Sequence, residues 1–329
     1  IRRMAYMGFV DVALNLRSVL GNLRRARRQL REGGYDALIV IDYPSFNLRL
    51  AAEANRLGIP VFCYISPKVW AWKEHRIVKM KKLFTRLYSI LPFEPDYFRS
   101  RGLTQAIYVG NPSREEIDMR AEKLPSRNEL LERLGLDPSR PLLALVPGSR
   151  IGEIKANLPV MAEVARRHPQ MQAVVAAAPS VDPGVYRAIS PLPAIEGMTF
   201  ELMGAADAAL VTSGTATLEC ALLATPQVAC YRANGSRIAY ELFKRILKIP
   251  FVTLPNLITG REVIPEMLVH QCTPDAVDSR LTPLLDSGSR QSREMAEGYA
   301  DLRKRLGTAP AAATTARDIA LHLGFTPSE

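Results

Sequence analysis

Apolar positions recur at two different spacings along this chain. From residue 9 a run of Phe9, Val10, Val12 and Leu14 passes into Leu16, Val19, Leu20, Leu23 and Leu30 at helical spacing. Arg17, Arg24, Arg25, Arg27, Arg28 and Arg31 fill much of the remainder, so the pattern predicts a basic amphipathic helix over 9–31. Beyond it, short unbroken apolar runs alternate with helical patterns. Runs at 37–42, 61–65, 86–91 and 106–109 predict strands, with helices at 46–56 and 74–83. Residues 112–141 are polar, helical in part, and read as a connection. A second series predicts strands at 142–146, 172–177, 208–212 and 227–231, with helices at 154–167, 215–223 and 236–247. From about Pro274 onward the pattern is helical. Unbroken apolar strands alternating with helices assemble into parallel sheets covered on both faces. The fold class expected is therefore α/β, with two Rossmann-like, doubly wound domains facing a cleft.

Composition narrows this picture. The 329 residues suffice for two domains, and 47% hydrophobic content marks a globular chain. Residues 1–110 carry 19 Lys and Arg against 8 Asp and Glu, while the remainder carries 24 against 25. The net charge of +10 thus resides in the first third, which points to an anionic partner for that part: nucleic acid, an anionic membrane surface or a phosphorylated substrate. On the 9–31 helix, a solvated arginine face over a core stripe competes with a helix lying on anionic headgroups. Cys63, Cys220, Cys230 and Cys272 show no paired or metal-type spacing, which fits reduced thiols in a cytosolic protein. No apolar run approaches the roughly 20 residues that span a bilayer.

Candidate chemistry lies where predicted strands end. Val211-Thr-Ser-Gly-Thr-Ala-Thr-Leu-Glu219 reads as a buried strand entering a glycine turn that opens a helix. Free backbone N–H groups and the positive helix end at Ser213, Gly214 and Thr215 suit a phosphate. Glu219, one turn below Thr215, suits sugar hydroxyls. Leu145-Val-Pro-Gly-Ser-Arg150 ends another strand with Gly148, Ser149 and the fixed cation Arg150. Ligands of doubly wound domains bind at the carboxyl ends of strands, so both loops are expected on one edge, where they suit a nucleotide or nucleotide-sugar. In the first domain, Asp42 ends a strand and is the candidate general base, with helix capping as the alternative role. Ser66-Pro-Lys-Val-Trp-Ala-Trp-Lys73 holds both tryptophans among cations, an arrangement suited to sugars, phosphates, nucleic acid or a lipid interface. Asn256, Arg261 and Glu262 form a polar set that reads either as a loop returning to the cleft or as a helix cap before 263–268. There is no Asp-x-Asp and no histidine cluster, so no metal is expected, and no P-loop motif favours kinase or ATPase chemistry.

Several motifs together resemble those of the lipid-A-disaccharide synthase family. They are Met7-Gly-Phe-Val-Asp-Val12, Ile41-Asp-Tyr-Pro-Ser-Phe-Asn47, Tyr64-Ile-Ser-Pro-Lys-Val-Trp-Ala-Trp72 and Leu91-Pro-Phe-Glu94. Pro147-Gly-Ser-Arg150, Ser213-Gly-Thr-Ala-Thr-Leu-Glu219 and Leu254-Pro-Asn-Leu-Ile-Thr-Gly-Arg-Glu262 complete the set, in the family's order. The resemblance implies a GT-B type fold and an inverting, metal-independent hexosyltransferase needing no cofactor. It implies transfer from UDP-2,3-diacylglucosamine to the 6-hydroxyl of 2,3-diacylglucosamine 1-phosphate, giving a β-1,6 disaccharide 1-phosphate and UDP. Asp42 would be the base. Gly148, Ser149, Arg150, Ser213, Gly214 and Thr215 would meet the pyrophosphate, with Arg150 also aiding its departure. Glu219 would meet the ribose, and Asn256 and Arg261 would line the cleft.

The expected division is 1–115, 116–300 and a helical segment 301–329. The protein would be cytoplasmic and peripheral on the inner face of the inner membrane, docking through Phe9, Val10, Leu20, Arg24 and Arg28, with no nucleic-acid partner and a homodimer left open. The family's opening strand and Gly-Glu-x-Ser-Gly-Asp loop are not seen, so the first domain is expected to be incomplete, with an open strand edge. Gly110-Asn-Pro112 stands where the family has Gly-His-Pro. Another UDP-sugar transferase or epimerase, or a basic nucleic-acid-binding protein, are the alternatives.

Overall fold

A computed structural model of the chain describes residues 16–232 and 250–325. Phe9, Val10 and the helix expected at 236–247 lie outside the described residues. The chain divides into two compact units: residues 1–110 with 309–329, and residues 111–308.

The first unit runs α1 (Leu16–Glu32), β1 (Leu38–Ile41), α2 (Pro44–Arg56), β2 (Val61–Tyr64), α3 (Val69–Trp72), α4 (Ile77–Leu83), β3 (Arg86–Ser89), α5 (Glu94–Arg99) and β4 (Ala106–Tyr108). The four strands are parallel in the order β1-β2-β3-β4. Leu23 and Leu30 of α1 enter the core with Leu48, Leu50, Ala51 and Ala54 of α2 and Val61 and Cys63 of β2. Glu53, 4% exposed, anchors α1 through ion pairs to Arg31 at 2.7 Å and Arg27 at 3.7 Å. The Arg31 hydrogen bond and the surrounding guanidinium groups hold its carboxyl below the usual range. Among the described residues β1 is an edge strand, with Ile39 and Ile41 exposed.

The second unit runs α6 (Pro112–Ala121), α7 (Arg127–Arg133), β5 (Leu142–Val146), α8 (Ile151–Arg167), β6 (Gln172–Ala177), α9 (Pro183–Arg187), β7 (Ala194–Glu196), α10 (Thr199–Ala205), β8 (Ala208–Thr212), α11 (Thr215–Leu222) and β9 (Gln227–Tyr231). It continues through α12 (Leu254–Thr259), β10 (Glu266–Leu268), α13 (Pro274–Leu281) and α14 (Arg290–Leu306). Among the described residues its six parallel strands lie in the order β7-β6-β5-β8-β9-β10, the Rossmann arrangement. All five residues of β5 and all five of β8 are buried, as strands covered on both faces require.

The last helix, α15 (Ala311–His322), belongs to the first unit. Ala311 and Ile319 pack with Phe62, Tyr88 and Val109 on one side of that sheet, and the Tyr88 hydroxyl donates to Asp318 at 2.8 Å. A separate segment 301–329 is therefore not present: residues to 308 close the second unit, and those from 309 return to the first. Where the chain leaves and re-enters, Gly110 at φ +106° lies so close to Ala309 that a Cβ would sit 2.1 Å from its carbonyl oxygen. Only glycine is accommodated there.

Two short strands, β7 and β10, were not expected from the pattern. The helix anticipated at 263–268 is replaced by α12 followed by β10. The helix anticipated at 74–83 is a 3₁₀ turn followed by α4.

Candidate functional site

In the first unit, the ends of β1 and β2 border a cavity of about 330 Å³. Asp42, Pro44, Ile65, Ser66, Pro67, Lys68, Val69, Lys73, Arg76 and Ile90 line it. Asp42 continues the ladder by donating its N–H to Tyr64 O at 3.2 Å, and then the chain turns sharply, with Asp42 at φ +47° and Tyr43 at φ +45°. Ile65, on the neighbouring strand end, stands at φ +66°. Left-handed conformations at non-glycine residues store strain and persist only where the surroundings hold them. Asn47 supplies the hold: its buried side-chain amide donates to the carbonyls of Ile41 and Asp42. The exposed Asp42 carboxylate thus faces a cavity edged by three cations. Burial, and then the Arg76 charge, press the Lys73 ammonium below its usual range. Behind Asp42, burial and secondarily the Asp42 charge push the Cys63 thiol up to about 12.

The wall of this cavity is fastened from beneath. Glu94, 1% exposed, accepts from Ser66 Oγ at 2.5 Å and from Trp70 Nε1 at 2.9 Å, while Ser89 Oγ donates to Ser66 Oγ at 3.3 Å. Burial raises the Glu94 carboxyl above its usual range, against the opposing pull of hydrogen bonds from Ser66, Trp70 and Ser89 and of the Lys68 charge. Sequence reasoning did not assign Glu94 a role. Its signal was the motif Leu91-Pro-Phe-Glu94, but nothing local shows that the carboxyl points inward.

In the second unit, β5 and β8 are adjacent, with Val146 beside Val211. From β5 the sheet proceeds to β6 on one side, and from β8 to β9 on the other. The loops following β5 and β8 therefore flank the switch point, where doubly wound sheets bind ligands. Gly148, at φ +110°, lies against Glu153, whose Oε2 would be 2.6 Å from an added Cβ. Glu153 accepts from the Ser149 N–H at 3.2 Å and pairs with Arg150 at 2.7 Å, fixing the loop that α8 follows. Gly214 takes φ +155° and ψ −156°, a region open to glycine alone. With Thr215 exposed at its start, α11 presents its N-terminus at this loop. The Thr212 hydroxyl, buried at the end of β8, has no hydrogen-bond partner among the described residues. Glu219 is half-buried on α11. Burial raises its carboxyl, with Glu116 adding to the rise and Arg120 opposing it.

Comparison with known proteins fixes the lineage. A family model described as Lipid-A-disaccharide synthetase matches residues 1–313. The chain belongs to the lipid-A-disaccharide synthase family. A lipid-A-disaccharide synthase from Myxococcus xanthus (strain DK1622) is 38% identical over 97% of this chain and 83% of its own length. Among solved structures, the UDP-GlcNAc 2-epimerase of Neisseria meningitidis bound to UDP-GlcNAc superimposes with a TM-score of 0.60 at 13% identity, covering 97% of this chain and 83% of that one. CalG4, the calicheamicin glycosyltransferase, gives 0.58 at 14% identity, covering 100% and 84%. These likenesses establish the GT-B type fold. The protein is a glycosyltransferase of lipid A disaccharide formation, a hexosyltransferase that uses a UDP-sugar donor and an acceptor of that synthesis.

Within this synthase the sequence-predicted residues have different fates. Gly148, Ser149, Arg150, Ser213, Gly214 and Thr215 gather at the switch point, and Asp42 edges the first unit's cavity. Asn256 does not join them. It is fully buried, and its side chain donates to Ile264 O and Glu266 Oε1, both at 2.9 Å. Its oxygen accepts from the N–H groups of Val263 at 2.7 Å and Ile264 at 2.9 Å. Both N–H groups and both lone pairs are thereby used, leaving nothing for a ligand. The expectation that Asn256 lines the cleft as a binding residue is corrected: it is a bracket joining α12 to β10. Arg261, by contrast, is exposed. Asn111 is the N-cap of α6, accepting from the Arg114 N–H at 3.1 Å. On α1, Leu20 is half-buried and Arg24 and Arg28 are exposed. No helix among the described residues is long and apolar enough to cross a membrane, and no group of three or more His, Cys, Asp or Glu side chains there is placed to hold a metal ion.

Proposed function

We propose that the synthase transfers 2,3-diacylglucosamine from its UDP conjugate to the 6-hydroxyl of 2,3-diacylglucosamine 1-phosphate, with Asp42 as the base. The observation that carries the residue assignment is the placement of Asp42 at the mouth of a cavity edged by Lys68, Lys73 and Arg76. Those cations suit the phosphate of the acceptor, and the adjacent carboxylate suits deprotonation of its hydroxyl. The acceptor oxygen forms the new bond to the donor's anomeric carbon as the bond from that carbon to the UDP β-phosphate oxygen breaks. The hydroxyl proton passes to Asp42, and UDP leaves with the bonding pair. Attack opposite the leaving group converts an α-linked donor into a β-linked product, so one base suffices.

The second unit takes UDP in this reading. Arg150, the N–H group of Thr215 and the α11 dipole neutralise charge growing on the departing pyrophosphate without a metal. The unsatisfied Thr212 hydroxyl adds a donor beneath that loop. Glu219 accepts from the ribose hydroxyls, and the exposed Arg261 lies on a loop of the same unit. The basic face of α1, with Arg24 and Arg28 outward and Leu20 beside them, supports attachment to the anionic cytoplasmic face of the inner membrane, where acylated substrates reside; Phe9 and Val10 extend this surface in the sequence.

Mass-spectrometric detection of product from the two acylated substrates tests the reading. A tetraacyl disaccharide 1-phosphate is expected. UDP binding without any such product would overturn the acceptor assignment.

A further inference from the structure

The described residues include two buried glutamates, and they are buried in different ways. Glu53 is surrounded by Arg27, Arg31 and Arg56, so its charge is met where it sits. Glu94 is more deeply buried, yet no ion pair to it occurs among the described residues. Its hydrogen-bond partners are neutral donors, Ser66 and Trp70 foremost. A buried carboxyl without an ionic partner carries a desolvation cost that its hydrogen bonds offset only in part. What the carboxyl does achieve is geometric. It grips both ends of the five-residue stretch from Ser66 to Trp70. That stretch contains Lys68 and leads to Lys73, two of the three cations bordering the cavity beside Asp42.

We propose that Glu94 is a positioning residue of the transfer reaction: by holding Ser66 and Trp70 it fixes the cavity wall that presents Lys68 and Lys73 to the acceptor's phosphate. The proposal rests on the acceptor assignment given above. It attributes to Glu94 an effect on the acceptor alone, since the nucleotide loops belong to the other unit.

Glu94→Leu keeps much of the volume but offers no acceptor, so Ser66 and Trp70 are both released. In the full-length enzyme, the KM for the acceptor is expected to rise about 10- to 100-fold, the scale of a displacement near 1 Å, while UDP affinity and the donor KM stay unchanged. A second readout is independent of turnover. The chain has two tryptophans, so a Trp72→Phe background reports Trp70 alone. There Glu94→Leu should red-shift the Trp70 emission and increase its quenching by acrylamide.

An unchanged acceptor KM with unchanged Trp70 emission would overturn the proposal. So would a parallel loss of UDP affinity, which would make Glu94 an ordinary core residue. Should Glu94→Leu fail to fold, Ser66→Ala and Trp70→Phe each remove one arm. A selective rise in acceptor KM in either supports the proposal, and no change in both refutes it. A wild-type enzyme with no transfer activity would instead refute the acceptor reading, and the emission readout would still decide whether Glu94 holds the segment.

Discussion

The two units end their parallel strands in loops of opposite construction. In the second unit the loops after β5 and β8 turn at Gly148 and Gly214, residues that adopt positive φ at little steric cost, and α11 begins at the second of them. In the first unit the loops after β1 and β2 turn at Asp42, Tyr43 and Ile65, which adopt positive φ only under restraint from Asn47 and the surrounding ladder. A glycine at the turn lets a diphosphate approach the backbone closely but itself contributes no side chain. The strained loops give up that ease and place a carboxylate and cations instead. On the proposed reading, one topology yields a surface for holding a nucleotide and another for proton transfer, and the choice is made by which residues occupy the turns.

The sharpest way to break this contrast is Asp42→Asn. Turnover should fall about 10²- to 10⁴-fold, the usual contribution of a general base, with UDP affinity by calorimetry unchanged. Loss of UDP binding in that variant would assign Asp42 a structural role. On the other side, Gly148→Ala drives a Cβ into Glu153 and strains the backbone at φ +110°. UDP affinity should weaken by roughly tenfold or more, on the order of the 1–3 kcal/mol such strain costs. An unaltered affinity would remove this loop from the nucleotide site.

Asn256→Ala should act on stability and not on ligands. It leaves several buried backbone groups unpaired, so about 3 kcal/mol is expected to be lost, with UDP affinity of the folded protein retained. In thermal unfolding this corresponds to a fall of roughly 5–10 °C. A selective loss of UDP binding at unchanged melting temperature would restore Asn256 to the site.

Smaller effects concern the basic face of the first unit. Arg24→Gln and Arg28→Gln should each lower partitioning onto anionic vesicles by about fivefold, near 1 kcal/mol per cation, and neutral vesicles should show no difference. Retained binding would leave α1 as a solvated helix. The docking of α1 also depends on Glu53, whose folded pKa lies below its ordinary value near 4.5. The stabilisation is therefore fully present above that ordinary value and is lost as pH falls through the lower, folded one. Comparing the melting temperatures of wild type and Glu53→Gln, the difference should be constant at neutral pH and shrink as the pH drops below about 4.5. A difference independent of pH would exclude the ion pairs as its source.

Much of the fold was legible because its strands are unbroken apolar runs. Leu142–Val146, Gln172–Ala177, Ala208–Thr212 and Gln227–Tyr231 appear with the bounds the pattern predicts. Ala194–Glu196 and Glu266–Leu268 escaped because three-residue strands that each include a glutamate carry no such signal. The switch-point loops were legible through their glycines, whose chemistry is local. Asn256 and Glu94 were misjudged and overlooked, respectively, for one reason: a polar residue at a strand or helix end faces a ligand or the core according to packing that the local sequence does not encode.

The sequence by itself determined that there are two parallel sheets, which loops turn on glycine, where the positive charge resides, and to which family the motifs point, because each of these depends on residues close together in the chain. The tertiary structure decided that Asp42 shares a cavity with Lys68, Lys73 and Arg76, that Glu94 reaches back across more than 20 residues to grip Ser66 and Trp70, and that the final helix returns to the first unit. Burial and hydrogen-bond partnership are properties of segments brought together from distant parts of the chain, and they set which polar groups remain available for chemistry.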